Sequence, residues 1–294
     1  MNSVENHLEK NASASLLQSL SSSLIHTDPT NPNQNKILWD AYAADWGPDV
    51  PWVKTMASRV NVAPNELEFI GDEWSSLDDL NQVITQYILP YVCERSVVGD
   101  IGCGGGRIAA KIANSVRLLH NFDISQGMLD ACRSKLKNFA NTEFHLLDPQ
   151  QQRFEDKFSG CFDFLYAFDV FQHCDLHVIF SYFKEIRKML KQDGRAFVST
   201  ANLLSKEGFG RFSKQSKFTV GGFYFITPEI VMKLLVEAGL RIVKRSDGKD
   251  YNGGVWEEEI SGNSYIDRDF LIIVERNDVC AFRQTPTKPS TFFR

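Results

Sequence analysis

The sequence predicts a doubly wound α/β domain on a seven-stranded, mostly parallel sheet, preceded by a helical and aromatic extension. Three observations carry that prediction. Between residues 96 and 275, short β-branched runs alternate with stretches whose apolar residues recur every three or four positions, the pattern of successive βαβ crossovers. The first of those runs ends in a glycine cluster that opens a helix, the turn that meets the ligand in such folds. The chain has 294 residues, 43% of them hydrophobic, enough for one enlarged domain with a sizeable core.

In chain order, residues 1–36 are rich in Asn, Ser and Gln and read as a disordered arm. Residues 37–92 form the extension, in which Trp39, Tyr42, Trp46, Trp52, Phe69 and Trp74 fall at irregular spacing. Leu77, Leu80, Val83, Ile84 and Tyr87 mark a helix there, and Pro90 ends it. The core spans 93–278. Its strands are expected at 96–101, 116–122, 142–147, 162–168, 196–200, 241–245 and 269–275, with helices at 108–113 and 128–139. Val178, Ile179, Tyr182, Phe183, Ile186, Met189 and Leu190 supply the buried stripe of a further helix. Thr227-Pro228-Glu229 starts another, with a hydroxyl N-cap, a proline at the first position and an acid in the first turn. Residues 279–294 are a tail.

Composition excludes several classes of protein. With 32 Lys+Arg against 37 Asp+Glu the net charge is −5, whereas a nucleic-acid binder carries a basic footprint. No stretch reaches the roughly 18 apolar residues of a membrane span. The six cysteines are widely separated with no CxxC, so neither a disulfide framework nor a metal site is expected. Ser15–Ile25 lacks the basic flank and clean apolar run of a targeting segment. These features point to a cytoplasmic protein without nucleic-acid or membrane partners; oligomeric state is not legible.

The glycine loop narrows the ligand. It reads Asp100-Ile101-Gly102-Cys103-Gly104-Gly105-Gly106-Arg107. A dinucleotide G-x-G-x-x-G counted from Gly102 needs glycine where Arg107 stands, and counted from Gly104 it survives only weakly, through Ala109. No Gly-Lys-Ser/Thr follows, which excludes a Walker A loop. The segment closely resembles motif I of the class I S-adenosylmethionine-dependent methyltransferases, an acid and a hydrophobe before G-x-G-x-G. The resemblance runs on through Phe122-Asp123-Ile124-Ser125-Gln126-Gly127-Met128-Leu129, Leu146-Leu147-Asp148, the strand-four stretch Phe162–His173 and Met189–Arg195.

That resemblance implies S-adenosylmethionine as cofactor, held by Asp100, Gly102, Gly104, Gly106, Asp123, Ile124, Met128, Asp148, Phe168 and Asp169. Asp123 would take the ribose hydroxyls, lying about twenty residues past Gly102 as expected of a ribose-binding acid. It could instead cap the next helix, and Asp148 could simply start an Asp-Pro turn. Trp39–Trp46 and Gly71–Trp74 are similar to lid segments ahead of the core in small-molecule methyltransferases, with Tyr42, Trp46 and Trp74 over the cofactor.

His173 follows strand four, where acceptors approach the methyl group in related enzymes, and is the candidate base; the alternative is that it caps or packs at the next helix. The connections at 203–225 and 247–266 are candidate substrate caps, the second through Tyr251, Trp256 and Tyr265. In the first, Lys206, Arg211, Lys214 and Lys217 face only Glu207. The expectation is a small-molecule acceptor bearing a carboxylate or other anion gripped by Arg211, against a merely solvated basic loop. The rival functions are a protein or RNA methyltransferase and a non-catalytic cofactor-binding subunit.

Overall fold

Residues 33–151, 153–216, 222–247 and 261–278 are described by the computed structural model. Most of the 1–36 arm, Lys217, Phe218, Tyr251, Trp256, residues 257–259 and the 279–294 tail lie outside them. Seven strands form one sheet: β1 (Val97–Ile101), β2 (Leu118–Asp123), β3 (Thr142–Leu146), β4 (Phe162–Ala167), β5 (Leu190–Ala201), β6 (Leu240–Arg245) and β7 (Asp269–Arg276). Their order is β3-β2-β1-β4-β5-β7-β6, with β7 antiparallel to both its neighbours and every other pair parallel. The strand order reverses between β1 and β4, which opens a crevice at their carboxyl ends.

Eight helices accompany the sheet among the described residues: α1 (Gln34–Asp45), α2 (Pro51–Arg59), α3 (Leu77–Tyr87), α4 (Ala109–Ile112), α5 (Gln126–Lys135), α6 (Leu176–Met189), α7 (Lys206–Phe212) and α8 (Pro228–Glu237). Ile179, Phe183 and Ile186 of α6 and Val231 and Leu235 of α8 bury one sheet face against Phe122, Leu165 and Val198. Leu80 and Val83 of α3, Ile112 of α4 and Leu129 of α5 bury the other against Val98, Phe164 and Phe197. Each such side chain contributes about 1.5–3 kcal/mol by leaving water. None of these helices is long and apolar enough to cross a membrane.

The sequence reading needs four corrections. β5 starts at Leu190, not Ala196, because Leu190 already pairs with Phe162 across an irregular register. α5 starts at Gln126 and ends at Lys135, since the Ser125 hydroxyl caps it by accepting the Met128 N–H at 3.1 Å. Thr227 occupies its N-cap position, but its hydroxyl makes no capping bond. The irregular aromatics of the extension lie partly on two unforeseen helices, and α1 starts at Gln34, inside the expected arm. α1 buries Leu38 and Tyr42 on one side and turns Trp39 toward the crevice, so its apolar residues do not form a single stripe.

Candidate active site

A cavity of about 460 Å³ fills the crevice between the carboxyl ends of β1, β2 and β4 and the extension folded over them. Its floor is the glycine loop, anchored to β2 by the Gly102 and Cys103 N–H groups on the Phe122 carbonyl at 2.8 and 3.0 Å. Gly102 has φ +72° and a Cβ there would meet Val170 at 2.5 Å, so only glycine serves. Gly104 has φ +51° and lines the cavity under Trp74, 3.7 Å from where its Cβ would be. Gly106 is absent from the cavity wall and packs on Cys132 of α5.

Asp123 ends β2 facing the loop. Its Oδ2 accepts the Gly104 N–H and its Oδ1 the Ser125 N–H, both at 2.9 Å, leaving each oxygen a further lone pair. Burial, only partly offset by those bonds, pushes its carboxyl up to about 6. Asp100 also lines the cavity, and burial foremost holds its carboxyl well above the usual range. Ile124, Met128 and Phe168 join the wall. Asp148 does not: it is exposed, and its Oδ1 accepts the Gln150 N–H at 2.9 Å as an Asp-Pro turn does, while Leu147 and Pro149 line the cavity around it.

A buried carboxylate ties the extension together. Glu73, 1% exposed, accepts the Tyr42 hydroxyl at 2.5 Å, the Trp46 indole N–H at 3.0 Å and the Gly71 N–H at 2.9 Å. Tyr42 in turn accepts the Trp74 indole N–H at 2.6 Å. Trp74 and Tyr42 reach the cavity, whereas Trp46 stands behind Glu73 and does not. A second link fixes α1 to α5: Asp40 Oδ1 accepts the Ser125 hydroxyl at 2.6 Å and the Gly127 N–H at 3.3 Å. Residue types alone gave no signal for Glu73 or Asp40 beyond their place in the lid segments.

The far end of the cavity is cationic. Asp169 sits after β4 in the left-handed region at φ +59°, costly for a non-glycine residue, and pairs with Arg268 at 3.1 Å. Arg268 also pairs with Asp269, so its charge is met twice. The Arg211 guanidinium lies 4.0 Å from the Phe223 ring centre, and no carboxylate among the described residues pairs with it. Arg211 keeps an exposed side, yet the protein packed around its guanidinium and the neighbouring Arg268 lower it to about 10, so it stays charged at neutral pH. Lys214 also lines this end; Lys206 does not. Tyr265 is not a substrate-cap residue: it is 2% exposed, packs on Phe168 and accepts Arg107 Nη2 at 3.2 Å.

His173 lies in a 3-10 turn (Phe171–His173) between Trp39 and Phe223, with ring centres at 5.1 and 5.7 Å, and lines the cavity. It does not cap α6; Asp175 does, accepting the His177 and Val178 N–H groups. Its Nδ1 is 3.0 Å from the Gly222 carbonyl, which can only accept, so Nδ1 carries the hydrogen and Nε2 keeps its lone pair. Burial lowers its pKa, with Arg211 and Arg268 acting in the same sense against Asp169, and the ring is neutral at pH 7. Asn35, from α1, donates to the His173 carbonyl at 3.1 Å, and its own Oδ1 is buried on the cavity wall with no hydrogen-bond partner among the described residues.

This fold and loop define a class of enzyme. Residues 99–198 match the family model described as a methyltransferase domain, so this stretch of the chain is a methyltransferase domain. Its cofactor is S-adenosylmethionine. Among solved structures it resembles the Haloferax volcanii complex between the Trm112 methyltransferase activator and a methyltransferase, at 15% identity over 81% of this chain and 97% of that one, with a TM-score of 0.55. It also resembles the PH0226 protein of Pyrococcus horikoshii OT3, at 19% identity over 74% and 98%, with a TM-score of 0.52. At such identities the likeness is one of fold. No curated protein sequence matches the chain.

Proposed function

We propose that this methyltransferase acts on a small molecule bearing a carboxylate or other anion, with Arg211 gripping the anion and His173 taking the proton. The observation that carries the reading is one cavity with a carboxylate and glycine loop at one end and, beside a neutral imidazole at the other, a guanidinium that no carboxylate among the described residues pairs with. The residues present fit the cofactor. Asp123 retains lone pairs for two hydroxyls, Gly104 leaves the loop backbone open, and the orphan Asn35 oxygen offers an acceptor for an N–H donor.

When bound, the cofactor supplies a methyl group already activated on a positively charged sulfur. The chain's own part is to position the acceptor, exclude water and accept a proton. Arg211 orients the acceptor through a charge-assisted, bidentate bond strengthened on the Phe223 face. His173 Nε2 accepts the proton of an attacking hydroxyl or ammonium, with Nδ1–H held on Gly222 so that the ring keeps its orientation. Trp39, Tyr42 and Trp74 close the site against water, and their faces favour a cation.

The test is an acceptor panel of small carboxylates, neutral and cationic amines, peptides and RNA, reading S-adenosylhomocysteine release. Turnover with carboxylates, and a KM raised about tenfold by Arg211→Met at unchanged cofactor affinity, is expected from one lost charge-assisted bond. Turnover confined to cationic acceptors, peptides or RNA overturns the reading.

A further inference from the structure

Away from the cavity, His120 of β2 and Glu143 and His145 of the edge strand β3 converge on the sheet face that α6 covers. His120 Nδ1 lies 3.0 Å from His145 Nε2, and Glu143 Oε2 lies 3.3 Å from the first and 3.6 Å from the second. In a tetrahedral zinc site with bonds of about 2.0–2.1 Å, neighbouring ligand atoms stand about 3.3 Å apart. The three separations straddle that value. We propose that His120, Glu143 and His145 form a divalent transition-metal site, with zinc as its metal and one position left open to water.

Hydrogen bonding alone leaves this triangle poorly satisfied. A neutral imidazole has one N–H, so a single hydrogen can lie between the two facing nitrogens. With that hydrogen shared between the nitrogens, the Glu143 oxygen faces them at 3.3 and 3.6 Å without a donor; with both N–H groups turned to Glu143 instead, they crowd each other at an N···N distance of 3.0 Å. A cation at the centre accepts all three lone pairs, and two imidazoles with one carboxylate suit zinc and its first-row neighbours.

The ligands are also held in advance. His120 meets Phe162 and Phe158 edge-on at 5.3 and 5.5 Å, and His145 stacks on Phe122 at 4.8 Å and meets Phe158 at 5.1 Å. Lys157 is a cation that acts on both histidines, and Glu155 pairs with it at 3.0 Å. The site joins β2 to the edge strand just ahead of Leu147 and Pro149, so a bound metal would steady that wall of the cavity. The cysteines, widely spaced and without a CxxC, gave no metal signal in the sequence. The two histidines are 25 residues apart, on strands whose register no local pattern reveals.

The experiment uses the full, tag-free chain freed of metal by a chelator, then titrated with Zn²⁺ and, separately, Co²⁺. One equivalent of tightly held zinc, and the intense visible absorption of four-coordinate cobalt, are expected. Glu143→Gln, a change at a largely exposed side chain that spares the fold, weakens binding about tenfold or more, and His120→Asn with His145→Asn abolishes it. A wild-type chain with no stoichiometric zinc, or variants that bind it as the wild type does, overturns the proposal. Since the readout is metal content and spectrum, it is independent of methyl transfer.

Discussion

Lowering the pH should weaken cofactor binding through one residue, Asp123. Burial raises its carboxyl from 3.8 to about 6, so ionising it in the folded chain costs about 3 kcal/mol more than in water. Because the folded value lies above the unfolded one, the free protein gains stability from this group below about pH 4 and loses it as pH rises through about 6. Cofactor affinity runs the other way. Ribose hydroxyls donate to an ionised acceptor, so affinity climbs through about pH 6 and then levels off; at about pH 5 it should be about tenfold below its plateau. Asp123→Asn should bind S-adenosylhomocysteine at least about tenfold more weakly at neutral pH, from one or two lost charge-assisted bonds, and without that slope. Calorimetric titration of both proteins across the window measures this. A flat wild-type profile, or a variant that keeps the slope, refutes the ribose assignment. The variant also separates Asp123 from Asp100, whose carboxyl lies well above the usual range in the same cavity.

Three other outcomes follow from the lid and the base. Glu73→Gln removes the charge that accepts Tyr42, Trp46 and Gly71 and leaves the Tyr42 hydrogen facing an amide N–H₂; thermal unfolding should show about 1–3 kcal/mol lost, and cofactor affinity should fall with it. Gly127→Ala gains up to about 1 kcal/mol of helix propensity, yet its Cβ would come within 2.8 Å of Ala43 and push α1 off α5. Cofactor affinity should therefore drop severalfold without loss of melting temperature, and full affinity in that variant would contradict the docking of α1 as a lid. His173→Asn should lower kcat about a hundredfold or more for a hydroxyl or ammonium acceptor while S-adenosylhomocysteine binds normally; kcat near that of the wild type removes the base role.

The strands, the glycine loop and the place of Asp123 beside it were legible because their signals are local: β-branched runs, a turn only glycine can make, and an acid at the end of the second strand. The features that escaped depend on distant partners. Glu73 is a hub only because α1 brings Tyr42 and Trp46 to it, and Asp40 matters only because α5 starts beneath it. α1 itself was hidden because one side faces the core and another the cavity, which spreads its aromatics around the helix. Asp148 and Tyr265 show the opposite failing: a motif position and a loop aromatic suggested contact, yet one bonds its own turn and the other is core. Arg211 was legible as one of several cations, but only folding distinguished it from Arg268, whose carboxylates lie beside it.

The most direct measurement is a crystal structure of the full chain with S-adenosylhomocysteine bound. The account predicts both ribose hydroxyls on the Asp123 carboxylate, the sulfur lying toward His173, and the space between the sulfur and Arg211 open for an acceptor. Ribose held elsewhere, or a sulfur directed away from the His173 and Arg211 end, would contradict it.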